Sequence, residues 1–133
     1  MKYSVAVIIP TYNRARTLRR ALESVFGQTR QPEEVCVIDD GSTDSTEVLV
    51  NEHFPQVIYI RQQNLGVSAA RNAGVEATSS DCVAFLDSDD EWLPKKLEVQ
   101  LSELEASPDI RLVHSDEIWI RNGKRVNQMH KHK

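Results

Sequence analysis

The sequence predicts an α/β domain with a mostly parallel central sheet and helices on both faces. Short apolar runs of β type alternate with helical segments, and polar turns, several of them acidic, follow these runs. Such alternation is typical of βαβ units with right-handed crossovers. With 133 residues, 40% of them hydrophobic and 27% charged, the chain fits one globular domain over residues 1–133.

Five apolar runs predict the strands. They are short, rich in β-branched residues and bounded by polar residues, and they lie at 4–10, 34–40, 56–60, 81–86 and 110–120. The first four are nearly uninterrupted, as expected for strands buried on both faces. After the fifth, Asn122 and Gly123 predict a tight hairpin.

Four helical segments separate the strands. In the first, at 16–28, Leu18, Ala21, Leu22, Val25 and Phe26 recur at the spacing of an amphipathic helix. The second, at 42–54, opens with Asp44 and Glu47, a spacing that resembles a capping box. The third, at 65–77, is rich in small residues, and the fourth begins near Pro94 and buries Leu97, Leu101 and Leu104.

Composition argues against several partners. A formal net charge of −4 disfavours nucleic acid and anionic membranes, and no apolar run approaches the roughly 20 residues that span a bilayer. The only two cysteines, Cys36 and Cys82, lie inside apolar runs without metal-ligand spacing. Buried reduced thiols are therefore expected, which fits a cytoplasmic compartment.

The turns after the strands predict a functional edge, because ligands of parallel sheets bind outside the carboxyl ends of the strands. These turns supply Tyr12, the acids of 39–44 and 87–92, Gly66 at the start of a helix, and Arg71. Tyr12 could stack on a planar base or simply cover the sheet. Arg71 suits a phosphate or ribose contact, or equally an ion pair with an acid at this edge.

The acids at 39–40 and those at 87–89 have different possible explanations. In extended backbone Asp87 and Asp89 would point the same way, which suits one Mg²⁺ or Mn²⁺ ion, since such hard cations prefer oxygen ligands. For a DxD spacing taken alone, a solvated acidic loop that caps the next helix is the more common explanation. Asp39 and Asp40 are harder to explain by turn chemistry, and an acid there can accept hydrogen bonds from a base or a ribose.

Four stretches together resemble glycosyltransferase family 2. They are "VIIPTYNR", "VIDDGSTDST", "NLGVSAARNAG" and "AFLDSDDEW", and the resemblance runs from about Ser4 to Leu104. It implies a Rossmann-like GT-A fold that binds a nucleoside-diphosphate sugar, with UDP-sugars favoured and thymidine or guanosine donors left open. A divalent metal, Mg²⁺ or Mn²⁺, is the cofactor that the resemblance implies.

The resemblance also implies roles for single residues. Pro10 and Tyr12 would lie against the nucleoside, and Asp40 would hydrogen-bond the base, with Asp39 supporting the same turn. Gly66 would let its loop approach the nucleotide, beside Arg71. The triplet 87–89 would be the DxD-type motif, in which Asp87 and Ser88 lie near the nucleotide and Asp87 and Asp89 hold the metal, while Asp90 stands at its edge.

The implied reaction transfers a sugar to an acceptor hydroxyl with inversion, and it needs a general base. Members of the family continue well past this length, so the base is expected beyond Lys133 and the chain is expected to stop before the acceptor part. Asp116, Glu117 and His114 are better explained as strand residues. The alternative is a non-catalytic nucleotide-sugar-binding fragment.

By resemblance, the acceptor would be a carbohydrate or a lipid-linked molecule in polysaccharide or glycoconjugate synthesis. The expected location is the cytoplasm, including the inner face of the membrane, with no transmembrane segment. A homodimer is one way to cover apolar surface that a missing half would expose. A phosphoreceiver domain would instead need a lysine after the fifth strand, where the sequence has His114 and Ser115.

Overall fold

Strands and helices alternate along the part of the chain that the computed structural model describes, residues 3–106 and 118–120. The strands are β1 (Val5–Thr11), β2 (Glu34–Asp39), β3 (Ile58–Arg61), β4 (Cys82–Phe85) and β5 (Ile118–Ile120). They form one sheet in the order β3-β2-β1-β4-β5, in which only β5 runs antiparallel to its neighbour among these strands. The predicted α/β class with a mostly parallel sheet is confirmed.

The helices follow the predicted segments closely. They are α1 (Ala15–Phe26), α2 (Thr46–His53), α3 (Val67–Ala77) and α4 (Lys96–Ala106). The capping box predicted at Asp44 and Glu47 is wrong in detail, because α2 begins after Ser45. The Asp44 carboxylate instead accepts a hydrogen bond from the Thr46 amide at 3.0 Å, an Asx-type contact that also serves an orphan helix N–H.

The strand pleat divides the core between two faces of the sheet. Val5, Val7 and Ile9 of β1 belong to the larger cluster, which contains the buried residues of α1, α2 and α4. Ala6 and Ile8 face the other way, where α3 packs. Helices therefore cover both faces of the sheet, as predicted from the uninterrupted apolar runs.

Small residues bring α3 close to the sheet. A Cβ added at Gly74 would lie 2.4 Å from Cγ2 of Ile8, so only glycine fits there without displacement. This contact holds the start of α3, with Ala70 and Arg71, at a defined height above β1.

The helices on the larger face bury the residues that periodicity picks out. Leu18, Ala21, Leu22 and Val25 are buried in α1, whereas Phe26, the fifth residue of the predicted face, is partly buried against the same cluster. In α4 the three leucines predicted to face the core, Leu97, Leu101 and Leu104, are buried. Burial of one such leucine contributes about 1.5–3 kcal/mol, so these two helix faces supply much of the driving force for folding.

Other predictions concern the cysteines, the membrane and the fifth segment. Cys36 and Cys82 are both buried and reduced, and burial, followed by the nearby Glu34 charge, raises the pKa of Cys36 to about 12. None of the described helices is long and apolar enough to cross a membrane. The predictions for residues 110–117, including those for His114, Ser115, Asp116 and Glu117, and for the hairpin at 122–123 lie outside the described residues.

The strand order places a crevice at the carboxyl ends of β1 and β4. The chain runs from β1 through β2 to β3 on one side, and then crosses to β4 on the other side of β1. Such a reversal keeps neighbouring loops apart and opens space for a ligand.

Candidate nucleotide and metal site

A cleft of about 520 Å³ lies at this reversal and collects residues from several strand ends. It is lined by Pro10, Thr11, Tyr12, Arg14, Asp40, Asn64, Val67, Ala70, Asp87, Ser88 and Asp89. Six of the residues predicted from sequence are among them: Pro10, Tyr12, Asp40, Asp87, Ser88 and Asp89. The predicted convergence of distant strand ends on one edge is therefore observed.

Asp39 lies beneath the cleft rather than in it. Its side chain is fully buried, and its carboxylate accepts hydrogen bonds from the Ser42 amide at 2.8 Å and from the Tyr59 hydroxyl. Arg61 completes the set through an ion pair at 3.5 Å. Burial and this carboxylate both raise the pKa of Tyr59, so its hydroxyl stays a donor. The observed contacts of Asp39 are therefore structural ones that brace the loop after β2.

Asp40 is turned toward the loop that follows β3. Its carboxylate accepts hydrogen bonds from the side chain of Gln62 at 2.8 Å and from the amides of Leu65 at 2.8 Å and Gly66 at 3.0 Å. Burial alone would raise the pKa of Asp40, but these three hydrogen bonds outweigh it and hold the pKa below its ordinary value. A carboxylate has about four acceptor positions, so one remains for a ligand.

Gly66 shapes the entrance to α3. Its φ of 103° is in the left-handed region, and this conformation lets two successive amides point at the Asp40 carboxylate. No atom lies within 4 Å of a Cβ built at Gly66. Conformation, rather than crowding by this chain, is thus the reason for glycine here.

The acids after β4 form the candidate metal site. Carboxylate oxygens of Asp87, Asp89 and Asp90 lie within 4.8 Å of one another, and all three residues are exposed. The prediction that extended backbone aligns Asp87 and Asp89 is wrong. The segment is a turn, in which the Asp90 amide donates to the Asp87 carbonyl at 3.0 Å. The turn, not the strand pleat, brings the carboxylates together.

This oxygen-only set fits a hard divalent cation. Mg²⁺ and Mn²⁺ prefer carboxylate ligands, and Mg²⁺ is usually held by one or two of them together with phosphate oxygens. Exposure of the cluster leaves coordination positions open toward the cleft, which Asp87 and Asp89 also line. A cation would also relieve the repulsion among the three charges.

Arg71 adopts the ion pair that sequence reasoning left as one alternative. Its Nη2 lies 3.3 Å from Oδ1 of Asp87, and its guanidinium carbon lies 5.8 Å from the centroid of the Phe85 ring. The Arg71 Nε is buried without a hydrogen-bond partner in the structure. Arg71 therefore stands beside the acids after β4 but not among the residues that line the cleft.

Sequence reasoning missed several residues of the cleft. Arg14 closes the stretch "VIIPTYNR", but sequence reasoning gives it no role, and only the structure shows that it lines the cleft. Sequence reasoning gives Asn64 no ligand role, yet it lines the cleft and its side chain donates to the Asp40 carbonyl at 3.2 Å. Thr11, Val67 and Ala70 look like ordinary strand and helix residues, and only packing reveals their position.

A comparison with known families decides the identity. Residues 6–130 match the model described as glycosyl transferase family 2. The chain belongs to this family. An uncharacterised glycosyltransferase from Nostoc sp. is 39% identical to this family 2 chain over 128 residues. The alignment covers 93% of the chain and 40% of the Nostoc protein, so the chain spans about two fifths of that relative's length.

Two solved structures share the fold of this chain. TarS of S. aureus, in complex with UDP-GlcNAc, matches the family 2 chain with a TM-score of 0.69 and 28% identity, over 79% of the chain and 32% of TarS 1–349. The mannosyltransferase PcManGT of Pyrobaculum calidifontis, in complex with GDP-Man and Mn²⁺, matches with a TM-score of 0.60 and 29% identity, over 69% of the chain and 29% of that protein. The predicted family and GT-A type fold are confirmed.

Proposed function

We propose that this domain binds a nucleoside-diphosphate sugar together with Mg²⁺ or Mn²⁺ and serves as the donor half of an inverting glycosyltransferase. The observation that carries the proposal is the position of three converging carboxylates at the mouth of the cleft that Tyr12 and Asp40 line. The charged diphosphate would lie at the acid cluster, and the nucleoside would lie toward β2. The ligands in the TarS and PcManGT structures support a donor of this class.

Each residue then has a chemical task. The exposed Tyr12 ring stacks against the base, and the remaining acceptor position of Asp40 takes an N–H of the base. Pro10 and Ser88 line the nucleotide cleft, and Gly66 lets the neighbouring loop approach it. Arg71, which forms an ion pair with Asp87, contributes positive charge beside the phosphates.

The metal would be held by Asp87 and Asp89, with Asp90 at the edge of the cluster. When bound, a divalent cation supplies charge neutralisation of the departing diphosphate. The acceptor hydroxyl, carbohydrate or lipid-linked, would attack the anomeric carbon from the opposite face. We further propose a UDP-sugar as the donor, polysaccharide or glycoconjugate synthesis as the setting, and action in the cytoplasm or at the inner face of a membrane.

Calorimetry of UDP binding with and without Mn²⁺ tests the proposal. We expect Mn²⁺ to tighten UDP binding, and Asp89→Ala to abolish that gain. Glu91→Ala is a matched control, because it removes a neighbouring exposed acid that pairs with Arg20 outside the cluster. Equal UDP affinity with and without metal, or equal losses in both variants, would show that the acid cluster has no metal role.

A further inference from the structure

Asn13 stands between two residues of the cleft and has an unusual backbone conformation. Its φ is 53°, and within the described residues no other non-glycine residue has a positive φ. Tyr12 and Arg14, on either side of it, both line the cleft. Asparagine tolerates the left-handed region better than most residues, but the conformation persists only where surrounding contacts hold it.

Hydrogen bonds to the loop after β2 hold this conformation. The Asn13 amide donates to Oγ of Ser42 at 2.7 Å, and Oδ1 of Asn13 accepts from the Thr43 amide at 2.8 Å. Two residues further on, the Ala15 amide donates to the Asp44 carboxylate at 3.2 Å. The turn after β1 is thus bonded to residues 42–44 through both backbone and side chain.

The loop that receives these bonds is itself anchored. Ser42 is 3% exposed, and its amide donates to the buried Asp39 carboxylate at 2.8 Å. Asp40, which follows Asp39 in sequence, accepts hydrogen bonds from the amides of Leu65 and Gly66. The left-handed turn at Asn13 therefore joins the loop after β1 to a rigid framework that also carries Asp40.

Tyr12 depends on this connection for its position. The ring is 46% exposed, and no hydrogen bond of its hydroxyl to the described residues holds it. Its backbone, between the end of β1 and the turn at Asn13, is what sets where the ring stands. A shift of that turn would move the ring relative to Asp40, although neither residue would itself be altered.

We propose that Asn13 is a positioning residue, which holds Tyr12 at the base side of the cleft and so controls affinity for the nucleoside part of the donor. This inference rests on the proposed function. We expect Asn13 to affect the diphosphate end much less, because the acids after β4 lie on a different loop from the turn.

The test compares two probes, UDP and inorganic pyrophosphate, each with Mn²⁺, by calorimetry on the full chain. For Asn13→Ala we expect roughly tenfold weaker UDP binding, since stacking of one base on an aromatic ring has an effect of this size. Pyrophosphate binding should stay within about twofold. Asn13→Asp keeps the acceptor oxygen and tolerates the left-handed region, so it should restore UDP affinity.

The same substitution made in a chain that lacks the Tyr12 ring shows whether the effect depends on Tyr12. In a Tyr12→Ala chain, Asn13→Ala should cause little further loss of UDP affinity, because the ring it positions is absent. Should Asn13→Ala fail to fold, Asn13→Gly replaces it: glycine can adopt the left-handed conformation but lacks the oxygen that accepts from the Thr43 amide, so the turn is held less firmly and UDP affinity should still fall.

Three results would overturn the inference alone: unchanged UDP affinity in Asn13→Ala, an equal fall for UDP and pyrophosphate, or additive losses in the Tyr12→Ala background. Failure of the unchanged chain to bind UDP would overturn the proposed function, and this inference with it.

Discussion

Gly74→Ala should destabilise the domain, although alanine is normally the better helix residue. The new Cβ would lie 2.4 Å from Cγ2, 3.2 Å from Cγ1 and 3.3 Å from Cβ of Ile8. Ile8 is fully buried in the central strand, so neither it nor the helix can move without disturbing other contacts.

The expected loss of folding free energy in Gly74→Ala follows from two opposing effects. Replacing glycine inside a helix gains roughly 0.5–1 kcal/mol, whereas overpacking a core costs about 1–3 kcal/mol. Contact this short with a fully buried strand residue places the cost at the upper end, so we expect a net loss of about 2 kcal/mol. For a chain of this size the melting temperature should fall by roughly 5–10 °C.

Urea unfolding measures this loss, and a double-mutant cycle identifies its cause. Ser68→Ala, an exposed substitution in the same helix, is the control and should change stability by no more than about 0.5 kcal/mol. Ile8→Ala removes both γ carbons and by itself costs about 2–5 kcal/mol. In that background Gly74→Ala should cost much less, because only the 3.3 Å contact with Cβ of residue 8 remains. An equal loss in both backgrounds, or a gain from Gly74→Ala alone, would refute the steric explanation.

Three further predictions concern Asp40 in the cleft, the Tyr59 contact with Asp39 beneath it, and Cys36 in the core. Because its folded pKa is depressed, the Asp40 carboxylate adds stability above its ordinary pKa of about 4 and loses it as pH falls through the lower folded value. Urea unfolding should therefore show a larger deficit for Asp40→Asn at pH 7 than at pH 3, and equal deficits would contradict this. Tyr59→Phe leaves the buried Asp39 short of a donor and should cost about 1–3 kcal/mol in chemical unfolding. Tyr12→Phe, at an exposed ring, should cost under about 0.5 kcal/mol; equal losses for the two would argue against the Asp39 contact. Cys36, fully buried with a pKa of about 12, should resist thiol reagents at pH 8 until the chain unfolds, and rapid labelling of the folded chain would show that this site opens.

Sequence reasoning succeeded where a local pattern reports directly on burial. The spacing of Leu18, Ala21, Leu22 and Val25 predicts the buried face of α1, because one stripe of a helix must face the sheet. Uninterrupted apolar runs predict strands covered on both sides. The strand-end position of Tyr12, Asp40 and Asp87 then follows from the general geometry of parallel sheets.

Sequence reasoning failed where two local solutions are equally good and only the folded structure shows which one forms. The acids after β4 fit extended backbone or a turn, and the Asp87–Asp90 hydrogen bond settles the matter in favour of the turn. Arg71 suits an ion pair or a ligand contact, and the position of Asp87 provides the first. Arg14 and Asn64 enter the cleft because neighbouring loops place them there.

Hydrophobic periodicity and the order of acidic turns, read along the chain alone, determined the layer architecture and the edge at which a ligand would bind. Both follow from burial of apolar side chains, which leaves its signature in local spacing. Only the tertiary structure decided that the Asp39 carboxylate is bound by Tyr59 and Arg61, whereas the Asp89 carboxylate stays exposed beside Asp87 and Asp90. Hydrogen bonds between residues far apart in sequence make that division, and no local spacing encodes them.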